Sequence, residues 1–104
     1  MSLVSVVMEF ADRIKNGRDK VSILESVEEE VVELREEVYL DVNGIVPGPD
    51  GIFGEAIDVI VSALDLVRQE RPNATLEELE QEIEAYARVK CRKWEIKYGA
   101  PPNK

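Results

Sequence analysis

Four stretches of this chain repeat apolar residues at every third or fourth position, and glycine, proline and asparagine interrupt the chain between them. That period belongs to helices with one buried face. Leu3, Val6, Val7, Phe10, Ala11 and Ile14 define a first helix over about residues 3–15, and Asn16-Gly17 supplies its stop. A second runs over about 20–40, with Ile23, Leu24, Val27, Val31, Leu34 and Val38 on one side. Gly44, Pro47, Gly48, Pro49 and Gly51 make the segment from Val42 to Gly51 a loop. Asp50 is placed to cap a third helix over about 52–70. Thr75-Leu76-Glu77-Glu78 has the form of a capping box opening a fourth, over about 75–98, which Gly99-Ala100-Pro101-Pro102 ends. No segment carries a convincing strand pattern. The expected fold is all-α: a four-helix bundle in a single domain spanning 1–104.

What such a bundle could do is narrowed by what the chain lacks. It has no histidine and one cysteine, Cys91. An internal disulfide, the usual thiolate or imidazole metal sites, and histidine-based catalytic triads are therefore excluded. Any chemistry must run on carboxylates, amines, hydroxyls or a hard metal ion. No apolar run approaches the ~20 residues that cross a bilayer. Met1 to Phe10 has no basic flank and does not read as a secretory signal, so a cytoplasmic location is expected.

Charge is abundant and uneven. The chain holds 22 acidic and 13 basic residues, a net charge of −9, which argues against nucleic-acid binding over the general surface. Residues 1–70 carry 16 acids and 6 bases, whereas residues 85–104 carry a net of +5 through Arg88, Lys90, Arg92, Lys93, Lys97 and Lys104 against Glu95. An acidic body with a basic end could serve solubility alone, or separate a cation site from an anion site.

In so acidic a chain, two acids three residues apart are cheap, and only their direction on a helix discriminates. The apolar residues of the third helix cover an arc of roughly 220°, leaving a stripe roughly 80° wide for Glu55, Asp58, Ser62 and Asp65. No lysine or arginine relieves that stripe before Arg68. A helix this apolar is expected to be buried against its own bundle and a partner subunit, so its acids must reach water or a cation. On the second helix, with Val27, Val31, Leu34 and Val38 taken as the core line, Glu30, Glu33 and Glu37 run along one edge, and Glu29 points away. Glu30 and Glu33 are the pair best placed to face a neighbour, at a spacing that lets two side chains grip one ion. Two such pairs from facing helices would surround a common point. Oxygen-only ligands suit Mg²⁺ or Mn²⁺ far better than Zn²⁺. Glu37 and Asp65 extend the two stripes, as further ion or water ligands or, more simply, as solvated acids.

At these residues the chain resembles the MazG-like family of all-α nucleoside triphosphate pyrophosphohydrolases, whose signature is E-E-x-x-E followed by E-x-x-D on the next helix. Glu29-Glu30-Val31-Val32-Glu33 is followed here, after 21 residues, by Glu55-Ala56-Ile57-Asp58. The similarity spans roughly 20–98. It departs from the family pattern at Gly54, where a second acid is common, and in the loop from Val42 to Gly51. The resemblance implies Mg²⁺ ligation by Glu30, Glu33, Glu55 and Asp58, a homodimer or homotetramer, and hydrolysis of a nucleoside triphosphate to the monophosphate and pyrophosphate, with nucleotide-pool house-cleaning as the usual role. Glu33 is the candidate to orient or deprotonate the attacking water.

A polyphosphate entering an acidic pocket needs compensating cations, and the fourth helix offers them. Its apolar line Leu79, Ile83, Tyr86 continues on one face as Lys90, Lys93 and Lys97. Lys90 and Lys93, with Arg92, are candidate phosphate contacts, and Trp94 or Tyr86 a candidate base-stacking surface; otherwise the helix simply leaves the bundle and Trp94 is a packing anchor. Three competing functions stand beside the hydrolase: a superfamily relative acting on phosphoribosyl-ATP or dUTP, a non-catalytic helical interaction protein, and acidic mimicry of nucleic acid. The last leaves the directional pattern on two helices unexplained.

Overall fold

The computed structural model describes residues 1–14, 18–46 and 48–99, and among these the chain is all-α, with no strand. Four helices follow in order: α1 Leu3–Arg13, α2 Lys20–Val42, α3 Gly51–Glu70 and α4 Leu76–Tyr98. The expected elements are all present, with ends displaced by one or two residues. The Asn16-Gly17 stop and the Ala100-Pro101-Pro102 terminator lie outside the described residues.

Local side-chain chemistry sets the starts. Ser2 and Ser5 exchange side-chain and backbone hydrogen bonds of 3.0 and 3.1 Å to open α1. Asp19 accepts from the Ser22 N–H at 2.7 Å at the start of α2, and these bonds hold its carboxyl below the ordinary carboxylate value. Thr75 and Glu78 form the expected capping box, at 3.1 and 2.9 Å. The expected Asp50 cap does not form: Asp50 is itself in helical conformation and its side chain makes no capping bond. The chain instead enters α3 through Gly51 at φ +63°, and leaves α2 through Gly44 at φ +70°, conformations that glycine adopts without the cost a Cβ would impose.

The chain divides into two compact units, Met1–Pro72 and Asn73–Lys104. In the first, α2 and α3 run antiparallel: Lys20 at the start of α2 pairs with Glu70 at the end of α3 at 2.8 Å, while Glu37 near the other end accepts from the Gly48 N–H in the connecting loop. α1 lies on α3, burying Val7 and Ala11, and Arg68 donates two hydrogen bonds, 3.0 and 3.1 Å, to the Asp12 carboxylate. The second unit is α4 with its leading turn. Leu79 is buried, but every residue from Glu84 to Gly99 is exposed.

One expectation about packing is corrected. The face that α2 turns inward is not the Val27, Val31, Leu34, Val38 line. Ile23 and Glu37 are buried, Val27, Glu30 and Leu34 are half-buried, and Val31 and Val38 are exposed. The inward face therefore reads Ile23, Val27, Glu30, Leu34, Glu37, a spacing of four and three that places two acids in the packed seam. Within the single chain, α3 has no fully buried residue. Its acids face the rest of the unit while Ile52, Phe53, Ile57, Ile60 and Val61 stay exposed, Phe53 at 81%.

Glu37, read from sequence as a solvated acid, is 7% exposed and is the buried charged residue of the core. A Cβ on Gly48 would sit 3.2 Å from its carboxylate, so loop and glutamate fit closely. Replacing it leaves the half-buried Gly48 N–H without its acceptor. Glu37→Ala is expected to destabilise the fold by about 1–3 kcal/mol, read as a lower urea midpoint. A midpoint equal to wild type would return Glu37 to the solvated acids.

Candidate metal centre

The inward turn of α2 brings Glu30 and Glu33 against the acidic stripe of α3, on which Glu55 and Asp58 lie one turn apart. One carboxylate oxygen from each of the four lies within 4.8 Å of the others. Two helix pairs at i, i+3 thus converge on a common point, as the helical directions require. Glu30 and Glu55 are half-buried, and Glu33 is exposed at the edge of the cluster. None of the four has an ion-pair partner among the described residues.

Crowding like charges on a partly desolvated seam raises their proton affinity. The Glu55 carboxyl is pushed up to about 6, first by burial and then by the charges of Glu33, Asp58 and Asp50. Glu30 is raised above its ordinary value by burial, then by Glu33 and Asp58. Oε2 of Glu30 and Oε2 of Glu55 are sealed from solvent and have no hydrogen-bond partner. Buried oxygens are normally satisfied, and two orphaned acceptors in one cluster define a site that wants a proton or a cation. The donor set is oxygen alone, which suits a hard divalent ion with water completing its shell.

The other acids and bases singled out in the sequence lie elsewhere. Glu29 is exposed, as its direction requires. Asp65, read as a solvated acid or further ion ligand, is instead paired with Arg18, whose Nη2 also donates to the Ala11 carbonyl at 3.3 Å. That pair was legible in neither period nor motif, because Arg18 and Asp65 are 47 residues apart. Lys90, Lys93 and Trp94 are exposed on α4, in the second unit, Trp94 at 66%. Cys91 is exposed as well. No helix among the described residues is long and apolar enough to cross a membrane.

The fold and cluster together describe an all-α chain with four convergent carboxylates that could hold a metal ion. No family model, curated protein or solved structure matches the chain.

The raised carboxyls carry a stability consequence for the metal-free protein. Glu55 binds its proton more tightly folded than unfolded, so its contribution is fully favourable below the ordinary value near 4.5 and is lost as pH rises through about 6. Without divalent ions, the wild-type melting temperature is expected to fall relative to Glu55→Gln as pH goes from 4.5 to 7, leaving the variant the more stable protein at pH 7.5. Thermal melts of both proteins in EDTA across that range provide the check, and a variant less stable throughout would mean the cluster is not repulsive.

Proposed function

We propose that the chain is a metal-dependent nucleoside triphosphate pyrophosphohydrolase of the MazG-like kind. The observation that carries this reading is the convergence of Glu30, Glu33, Glu55 and Asp58 from two antiparallel helices, at the E-x-x-E and E-x-x-D positions of the motif. The residues fit a divalent ion by their chemistry: four oxygen donors, no ion-pair partner among the described residues, and two sealed acceptors without hydrogen-bond partners. Glu30, Glu33, Glu55 and Asp58 would hold Mg²⁺, with Mn²⁺ a substitute. Such an ion, when bound, supplies charge neutralisation to a polyphosphate and makes a bound water more acidic.

The chain's own groups then have distinct tasks. Glu30 and Glu55, half-buried, are the fixed inner acceptors. Glu33 is exposed and so reachable by solvent and substrate. It is the base that takes the proton of the attacking water as the α–β phosphoanhydride breaks, the bond's electron pair leaving on pyrophosphate. Lys90 and Lys93, exposed on α4, are the proposed phosphate contacts.

The same reading includes self-association. Exposed apolar side chains on α3, and Tyr86, Val89, Trp94, Ile96 and Tyr98 on α4, leave more apolar surface bare than one chain normally keeps in water. A second copy covering these faces, in a homodimer or homotetramer, is part of the proposal.

The test is release of pyrophosphate from a panel of ribo- and deoxynucleoside triphosphates. Release is expected with Mg²⁺ and absent in EDTA. Asp58→Asn is expected to abolish it, and Glu33→Gln to slow it by roughly 10²–10⁴-fold, with the helical circular dichroism of both variants unchanged. Full activity in either variant would show that the reaction does not run at this cluster.

A further inference from the structure

The four clustered acids repel one another across the α2–α3 seam, so contacts outside the cluster must fix where the two helices stand along each other. On α2 two residues are buried, Ile23 and Glu37, seven positions to either side of Glu30. Ile23 is apolar, and apolar burial has no preferred direction. Glu37 is different. Beyond Ile45, the hydrogen bond that the described loop makes back to α2 runs from the Gly48 N–H to Oε1 of Glu37. A Cβ on Gly48 would meet both carboxylate oxygens, at 3.2 and 3.3 Å, so the loop backbone lies directly against the acid.

That bond joins the two ligand-bearing stretches. Glu37 stands one turn beyond Glu33 on α2, and Gly48 lies three residues ahead of the start of α3 at Gly51. From Asp50 onward the backbone is helical in character, and the Gly54 N–H already donates to the Asp50 carbonyl at 3.1 Å. Little slack is left between Gly48 and Glu55. Glu37 itself contributes no oxygen to the cluster: the carboxylates that meet within 4.8 Å are Glu30, Glu33, Glu55 and Asp58. A hydrogen bond is directional, and one made by a buried acceptor specifies position in a way that apolar contact does not.

We propose that Glu37 is a positioning residue for the metal centre: by holding the Gly48 N–H it sets the register of α3 on α2, and so places Glu55 and Asp58 opposite Glu30 and Glu33. The inference rests on the reading of the four carboxylates as a divalent-ion site and adds what spaces them. Its chemical consequence is selectivity. Mg²⁺ demands near-ideal octahedral geometry with short bonds, whereas Ca²⁺ accepts longer and more varied ones. A register held by Glu37 favours the smaller ion, and loss of that register costs Mg²⁺ more than Ca²⁺.

The experiment follows Mn²⁺ binding by electron paramagnetic resonance, with Mg²⁺ and Ca²⁺ as competitors. Glu37→Leu and Glu37→Gln remove the same charge and nearly keep the side-chain volume, but only Glu37→Gln retains an acceptor for the Gly48 N–H. Glu37→Leu is expected to bind Mg²⁺ about tenfold more weakly than Glu37→Gln, with Ca²⁺ affinity within about twofold. Gly48→Ala keeps the charge and crowds the carboxylate from the loop side, and is expected to lower the ratio of Mg²⁺ to Ca²⁺ affinity in the same direction. Ile23→Val, which loosens the other end of the seam, is expected to leave that ratio unchanged. Equal Mg²⁺ affinity in Glu37→Leu and Glu37→Gln overturns the proposal, as does a parallel loss of Mg²⁺ and Ca²⁺. Should Glu37→Leu lose its helical circular dichroism, a wild-type ratio in Gly48→Ala overturns the proposal by itself. Wild-type protein that binds neither Mn²⁺ nor Mg²⁺ overturns the metal reading on which it rests.

Discussion

Four carboxylates pressed together on a helix seam are the constraint to which the rest of the first unit is fitted. Helices normally pack through apolar residues, and two acids in a seam position cost desolvation and mutual repulsion. α2 nevertheless turns Glu30 and Glu37 inward and leaves Val31 and Val38 outside. α3 turns Glu55, Ser62 and Asp65 toward the unit and leaves Phe53 in solvent. The two helices are arranged as though the site, not the apolar surface, determined their facing sides. Features nearby steady that choice. Glu37 holds the α2–α3 loop through the Gly48 N–H, Lys20 closes the far end on Glu70, and Arg18 ties the segment before α2 to Asp65.

Turning acids inward sends apolar residues outward. The exposed face of α3, with Ile52, Phe53, Ile57, Ile60 and Val61, follows from the same arrangement. The charge distribution divides along the same lines: the four-acid centre belongs to the unit spanning Met1–Pro72, while the basic residues cluster late in α4.

Much of this was legible in the sequence. Helix number and order follow from the 3.6-residue period and the glycine and proline breaks, and the Thr75–Glu78 box from its spacing. Glu30, Glu33, Glu55 and Asp58 were singled out by direction as well as by motif, and they do converge. What periodicity could not give is which of two apolar lines faces inward. Val31 and Val38 look like core because hydrophobicity is counted without knowing that one chain leaves some of it bare. The fate of isolated acids was equally hidden. Glu37 is buried by a loop whose path depends on Gly44 and Gly51, and Asp65 by an arginine distant in sequence. Asp50 looked like a cap because its type and position suit one, but its own helical backbone conformation leaves no bond to make.

The central claim is that the seam binds a divalent ion through these four side chains. Titration of the protein with Mn²⁺, followed by electron paramagnetic resonance of the free ion, tests it without requiring turnover. The account predicts saturable binding at neutral pH that Mg²⁺ displaces, that weakens as pH falls below about 6 where Glu55 takes up its proton, and that Glu30→Gln together with Asp58→Asn removes. Mn²⁺ binding undiminished in the double variant, or no binding by the wild type, would contradict it.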